Sequence, residues 1–313
     1  DGNSERALQF MQSALEYNQI ALVLDPQNDY YRSELGQSHA FLADAQRGVC
    51  DLEGAFQSRQ AGILLEQEIL AEDSGNKTKM TRLAWAVSGL AVVQSERGLV
   101  DDAIEAFETA ISLIERVLIQ DPDDKKNTRL ILILKQRLAM HHAFNGASEK
   151  AARSLGVLND EWQLYVQTAV GDDPDAVKEY AAYLIDRGWL AQRMGRTGLA
   201  EQLLIDGMTR SVEVLKMFPG NRYAGNLLTL AAFRLWEVTQ TLPQESVLKL
   251  LPYYYSSSGQ TRACFDVSLA ARKAMMLGNN SRAAEFTGYL VDKGYAEVTF
   301  MHACKAHSFC EGQ

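Results

Sequence analysis

The stretch Leu83–Pro122, LAWAVSGLAVVQSERGLVDDAIEAFETAISLIERVLIQDP, decides the fold. Ala91 stands seven residues before Gly98, so a small side chain lies two helical turns ahead of a residue suited to a left-handed helix end. Ala103, Phe107 and Ala110 follow, with the two alanines seven apart on one face of a second helix. Asp121-Pro122 then stops that helix, because proline lacks the N–H a helix interior needs. The segment is a pair of helices joined by a glycine turn, with small side chains where the two must approach.

Outward from this segment the pattern repeats. Ala7, Ala55, Ala103, Ala151 and Ala200 lie 48, 48, 48 and 49 residues apart. Seven residues after each comes Ala14, Gly62, Ala110, Leu158 and Gly207, four of them small. Gly98, Gly146 and Gly195 each precede their alanine by five residues; Gly48 precedes Ala55 by seven, which implies two extra turn residues there. Ala91, Ala139 and Gly188 stand seven before the last three glycines. Breakers close each repeat: Asp25-Pro26, Asp73-Ser74-Gly75-Asn76, Asp121-Pro122, Asp173-Pro174 and Pro219-Gly220-Asn221, with Asp173 and Pro174 suited to N-cap and first helical position.

A fixed step of this kind is the mark of a repeat array, which grows long as one body. The expected fold is all-α: a right-handed superhelical solenoid of antiparallel helix pairs. Residues 1–221 form the array, with a half repeat at 4–24 and full repeats at about 30–72, 78–120, 127–170 and 175–218. Residues 222–313 form a helical extension: helices over 223–240 and 244–255, a polar loop at Ser256-Ser257-Ser258-Gly259, one further pair at 262–292 and a last helix over 296–307. The first segment has the spacing of a second helix with no first helix before it. It is expected either to follow further chain or to cap the array, and its open face makes it a candidate contact for a homo-oligomer.

Composition narrows the partners. The 313 residues are 47% hydrophobic and 23% charged, ample for a large core, and the formal net charge is -9. Nucleic acid is excluded as a partner by the absence of a basic face. No stretch reaches the ~20 apolar residues that cross a bilayer, so no direct membrane contact is expected.

The repeat resembles the tetratricopeptide family, whose hallmark is small residues on a first helix, a glycine turn, then alanine, aromatic and alanine on a second helix, then proline. Leu90-Ala91, Gly98, Ala103, Phe107, Ala110 and Asp121-Pro122 match best; Leu138-Ala139, Gly146, Ala151 and Leu155, then Gly188, Gly195, Ala200, Leu204 and Gly207, follow. Ala271, Gly278 and Ala283 return to the pattern near the end. The repeat of 48 residues exceeds the family's usual 34, as in accessory arms of bacterial signalling proteins. Arg59 stands where Phe107 stands in its own repeat.

That resemblance implies function through the first helix of each pair, whose exposed positions line the inner side. Carried over, they are Trp85, Ser88, Val92, Ser95 and Glu96; Ile133, Gln136, Met140, Ala143 and Phe144; Ala182, Ile185, Trp189, Gln192 and Arg193; and, in the first repeat, Ser38, Leu42 and Gln46. Trp and Arg are frequent interface anchors and Met adapts to varied shapes, so this lining suits a protein or peptide segment. The alternative is that Trp85, Phe144 and Trp189 fill the interior. The resemblance also implies a periplasmic setting, with the cytoplasm as the alternative.

Signatures of catalysis are absent: no GxxxxGK[ST], HExxH, GxSxG or dinucleotide fingerprint occurs. No enzyme and no cofactor is expected. Asn76-Lys77-Thr78 and Asn279-Asn280-Ser281 fit the glycosylation sequon but carry little weight. His141 and His142, adjacent on a helix, point about 100° apart and do not share a metal. The tail is the one unusual cluster: His302, Cys304, His307 and Cys310. Cys304 and Cys310 can pair with each other if the helix ends between them, or one can pair with Cys264; free packed thiols and a zinc site are the alternatives. A receptor for a short signalling peptide and a metal- or redox-responsive regulator therefore stand beside the leading expectation, a non-catalytic interaction or sensing module of a larger bacterial signalling protein.

Overall fold

The computed structural model describes residues 4–168, 174–252 and 263–310, and every regular element among them is helical. The expected Asp173 cap and the Ser256-Ser257-Ser258-Gly259 loop lie outside them. Four long pairs occur in sequence: α2 (Asp29–Gly48) with α3 (Leu52–Glu72), α4 (Lys77–Glu96) with α5 (Val100–Gln120), α6 (Lys125–Phe144) with α7 (Ser148–Thr168), and α8 (Pro174–Arg193) with α9 (Thr197–Met217). Before them stands α1 (Ser4–Leu24). After them come α10 (Arg222–Thr239), a single turn α11 (Glu245–Leu248), and α12 (Cys264–Met276), α13 (Asn280–Asp292) and α14 (Val298–Ala306). The array is an all-α solenoid of antiparallel pairs.

Side-chain caps set the starts of the first helices. Asn28 and Asn76 accept the N–H groups of the first turns of α2 and α4, and Asn221 does so for α10. Asp124 accepts from the Asn127 N–H in α6. The breakers legible in sequence end one helix, and the cap a few residues on starts the next. Left-handed residues end the first helices: Gly98, Gly146 and Gly195 have φ of 76°, 85° and 72°. In the first repeat that position is held by Cys50, at φ 60°. Cys50 precedes Ala55 by the same five residues, so the turn carries no extra residues and Gly48 belongs to α2. The expectation built on Gly48 is corrected accordingly.

The small-residue rows do what their spacing requires. Ala55, Ala103, Ala110, Ala151 and Ala200 are fully buried. A methyl on Gly62 would meet the Gly36 carbonyl at 3.1 Å, and one on Gly207 would meet Ile185 at 2.7 Å. Between these rows the large residues Phe107, Leu155 and Leu204 fill the core. Arg59, their counterpart in α3, is buried too: its Nη2 donates to Asp44 at 2.5 Å and its guanidinium lies where a methyl on Gly89 would stand. Burial lowers the Arg59 pKa, against the support of Asp44. Glu66 is a second buried charge, bonded to Arg82 Nη2 at 3.0 Å, while the same nitrogen donates to the Ser33 carbonyl at 2.7 Å. Burial pushes the Glu66 carboxyl up, and Arg82 opposes the shift. Gly36 leaves that carboxylate its room: an added Cβ would lie 2.9 Å from Glu66 Oε1.

Two compact units emerge. The first is built from residues 4–134, 263–265 and 289–302; the second from 135–168, 174–252, 266–288 and 303–310. The C-terminal helices contribute residues to both. In the first unit Cys50 is disulfide-bonded to Cys264, with Cα atoms 4.9 Å apart across a sequence separation of 214. The remote Cys50, which the tail cluster left out of account, is thus the anchor for the start of α12.

A non-glycine residue at φ 60° costs about 1–2 kcal/mol. A disulfide that closes so long a loop stabilises by about 2–4 kcal/mol, largely through the unfolded chain. Cys50→Ser loses the bond and keeps the strain; Cys50→Gly loses the bond and relieves it. In urea denaturation Cys50→Gly is expected to be about 1 kcal/mol more stable than Cys50→Ser, with both below the oxidised parent. Equal stabilities would contradict the left-handed assignment.

Candidate partner-binding surface

Positions 13, 10, 6, 3 and 2 before the left-handed residue share one face of each first helix. Counted from Cys50, the first repeat places Gln37, Ala40, Asp44 and Arg47 at the first four of these positions. Ser38 and Leu42, expected there, are buried instead, and Ser38 Oγ accepts from Asn18 of α1 at 2.6 Å. The two-residue error at Gly48 placed them on the register, whereas the correct count puts them on a buried face.

Within the first unit, α4 presents Trp85, 46% exposed, with Val92 and Ser95 half-buried. Ser88 is buried, and its Oγ donates to the Trp85 carbonyl at 2.9 Å. Glu96 is also buried, and its carboxylate takes a two-pronged bond from Arg47, Nε at 3.0 Å and Nη2 at 2.7 Å. Such a fork fixes geometry as well as charge. The Glu96 carbonyl accepts the Ala296 N–H at 2.8 Å. Beside it Tyr295 is almost fully buried, edge-on to Phe300 at 5.7 Å. The chain's own segment between α13 and α14 is therefore seated at the end of this register.

Within the second unit, Gln136, Met140 and Trp189 are buried. Gln136 Nε2 donates to Asp186 at 2.8 Å, and Arg234 Nη1 donates to the same carboxylate at 3.2 Å and to the Ile185 carbonyl at 3.0 Å. Trp189 stands edge-on to Phe144 at 5.4 Å, with the Arg193 and Arg234 guanidinium groups 5.8 and 5.9 Å from its ring centre. Cations over an indole are attracted by its ring quadrupole. Arg193 is exposed, and Phe144 and Gln192 are half-buried. Glu96, Gln136, Met140 and Trp189 thus serve packing and internal bonds, whereas Trp85, Val92, Ser95, Phe144, Gln192 and Arg193 keep surface. His141 is buried and bonded to the Arg137 carbonyl at 2.7 Å; His142, half-buried, lies 3.1 Å from Lys150 Nζ.

The same register recurs in α10, which Gln240 ends at φ 54°. Six and three residues before it stand Arg234 and Glu237. His307 Nε2 lies 3.5 Å from Glu237, and its ring stacks on Trp236 at 5.0 Å. Burial raises the Glu237 pKa, with Arg272, His307 and Arg234 opposing. Cys304 and Cys310 are disulfide-bonded, Cα atoms 5.4 Å apart, because α14 ends at Ala306 and Ser308 at φ 60° turns the chain back. The free-thiol and metal alternatives for the tail are corrected by that bond, and Cys264 is spent on Cys50. Among the described residues no three metal-ligating side chains gather. No described helix is long and apolar enough to cross a membrane.

Cys50 and Arg234, like Tyr295 and Ala296, escaped the sequence. Cys50 was visible to a count back from Ala55. Arg234 had no signal short of the register that Gln240 sets.

The chain is similar in structure to BtubC (BKLC) from P. vanneervenii, with a TM-score of 0.53 at 14% identity over 96% of this chain and 93% of that one. A tetratricopeptide repeat protein from Parabacteroides merdae aligns over 98% of this chain and 100% of its own, at 14% identity and a TM-score of 0.46. At that identity likeness speaks for the fold, and the first match carries it. No protein-family model and no curated protein matches the chain.

Gly98 and Gly146 both have positive φ, but a methyl on Gly98 would lie 2.9 Å from the Ala296 carbonyl oxygen, while one on Gly146 would meet nothing within 4 Å. Gly146→Ala is expected to cost about 1 kcal/mol, the backbone strain alone. Gly98→Ala is expected to cost at least about 1 kcal/mol more, because it also unseats Ala296. Equal losses in denaturant titrations would contradict the seating.

Proposed function

We propose that this tetratricopeptide-like solenoid is a non-catalytic scaffold that holds an extended segment of another protein against the inner face of its first helices, outside the cytoplasm. The observation that carries the proposal is the seat of Tyr295 and Ala296. There the register takes a stretch of irregular chain through one backbone hydrogen bond to Glu96, beside the buried Tyr295 ring, which stands edge-on to Phe300. Main-chain bonding with an aromatic anchor is a general mode of segment recognition. The positions next to it on α4, Trp85, Val92 and Ser95, offer the same chemistry to a partner segment: exposed indole area, a half-buried aliphatic surface and a hydroxyl. The acidic balance of the chain favours a segment without strong negative charge. The resemblance to accessory arms of bacterial signalling proteins directs the search for the partner to that class.

Two disulfides among the four cysteines support an oxidising compartment, since cytosolic thiols are kept reduced. Alkylation of protein taken directly from its native cells is expected to leave all four cysteines unlabelled, and labelling before reduction would contradict that placement.

Panning a library of extended, aromatic-containing peptides against the full chain tests the binding mode. Selected peptides are expected to lose at least tenfold in affinity with Trp85→Ala and little with Val157→Ala, an exposed residue on the second helix of a later pair. No enrichment, or equal loss with both variants, would contradict the proposal.

A further inference from the structure

One side of α1 is uncovered and apolar, carrying five of the exposed large hydrophobic residues among those described. No residue of this 21-residue helix is buried. Leu8, Met11, Leu15, Asn18 and Leu22 are half-buried on one side, where Asn18 bonds to Ser38 of α2. The other side carries Phe10, Tyr17, Ile20, Val23 and Leu24, with Tyr17 73% and Leu24 80% exposed. Together these present about 600 Å² of apolar area, at the upper limit for a patch on an ordinary monomer. The repeat shows what such a row is built for. In α3 and α5 the counterparts of Ala7 and Ala14 are buried: Ala55 and Gly62, Ala103 and Ala110. In α1 Ala7 is exposed and Ala14 half-buried.

We infer that this face is covered by α1 of a second copy of the chain, lying antiparallel across a two-fold axis. The seam runs Ala7, Phe10, Ala14, Tyr17, Ala21, Leu24 at steps of three and four, the spacing of a coiled-coil seam. Small and large residues alternate strictly along it. An antiparallel copy centred between Ala14 and Tyr17 sets Ala7 against Leu24, Ala14 against Tyr17 and Ala21 against Phe10, each contact made twice by symmetry. Every layer then joins one alanine to one large side chain, which lets the helices approach closely without a void or a clash. A parallel copy would instead set ring on ring and alanine on alanine. The same operation brings Arg6 to the level of Asp25 of the second copy, opposite charges at both ends of the seam. The apolar stripe with its polar margins approaches the ~800 Å² per partner that a standard stable interface buries. An interface of this kind takes no residue from the α4 register, so it is independent of segment binding there.

Sedimentation of the full chain across micromolar concentrations is the test. The parent is expected to double in mass as concentration rises. Tyr17→Asp, a change at an exposed site, is expected to stay monomeric with unchanged helical circular dichroism. Mixing Ala14→Cys protein with Tyr17→Cys protein is expected to give an inter-chain disulfide several-fold faster than either variant alone. A parent that is monomeric throughout overturns the inference, whether or not another protein's helix then binds α1. A dimer that survives Tyr17→Asp, or a mixed disulfide no faster than the unmixed ones, overturns it as well.

Discussion

The closeness of helix to helix at the small-residue rows is the constraint on which the structure depends. Two long helices pack at short distance only where side chains are missing, and the missing ones here recur every 48 residues or so. Gly62 lies over the Gly36 carbonyl and Gly207 against Ala181 and Ile185, with fully buried alanines at 55, 103, 110, 151 and 200. Overpacking of such a contact by one methyl costs about 1–3 kcal/mol. Close contact also explains how the chain tolerates buried charge. Gly89 and Gly36 leave room beside the packed helices for the Arg59 guanidinium and the Glu66 carboxylate, each supported by an ion partner. A buried charge with its partner in place adds definition to the packing more than net stability.

The turns between paired helices are the second structural theme. In three repeats a glycine takes the left-handed position. In the first repeat a cysteine takes it, accepts the strain, and uses its sulfur to hold the start of α12. The later C-terminal residues then meet register positions of the first helices, Tyr295 and Ala296 at α4 and His307 at α10. Within each unit, then, the protein's own C-terminal chain fills part of a register. Trp85 on α4 keeps exposed indole area.

The fold was legible because helix pairs repeat: alanine and glycine rows, turn glycines and breakers are local signals, and their common step removes ambiguity. The helices of the four pairs begin and end within a few residues of the expected positions. The candidate site was less legible for a physical reason. Which register positions face solvent depends on what covers them, and coverage comes from residues 45 to 200 positions away. Nothing near Glu96 announces Tyr295 and Ala296, and nothing near Trp189 announces Arg234. The first repeat misled for a different reason: a match to the glycine residue type at 48 concealed that Cys50 stands at the correct spacing. The tail cysteines were readable as a disulfide only among alternatives, since spacing alone does not say where a helix stops.

Native-state hydrogen exchange at the Ala296 amide tests the central claim most directly. That amide lies outside any helix and is held by the Glu96 carbonyl. If the inner register seats irregular chain, Ala296 exchanges as slowly as the core amides of α4 and opens together with them. Exchange at the rate of an exposed loop would mean that the seat does not hold its own segment, and the account of this surface as a segment-binding register would fail with it.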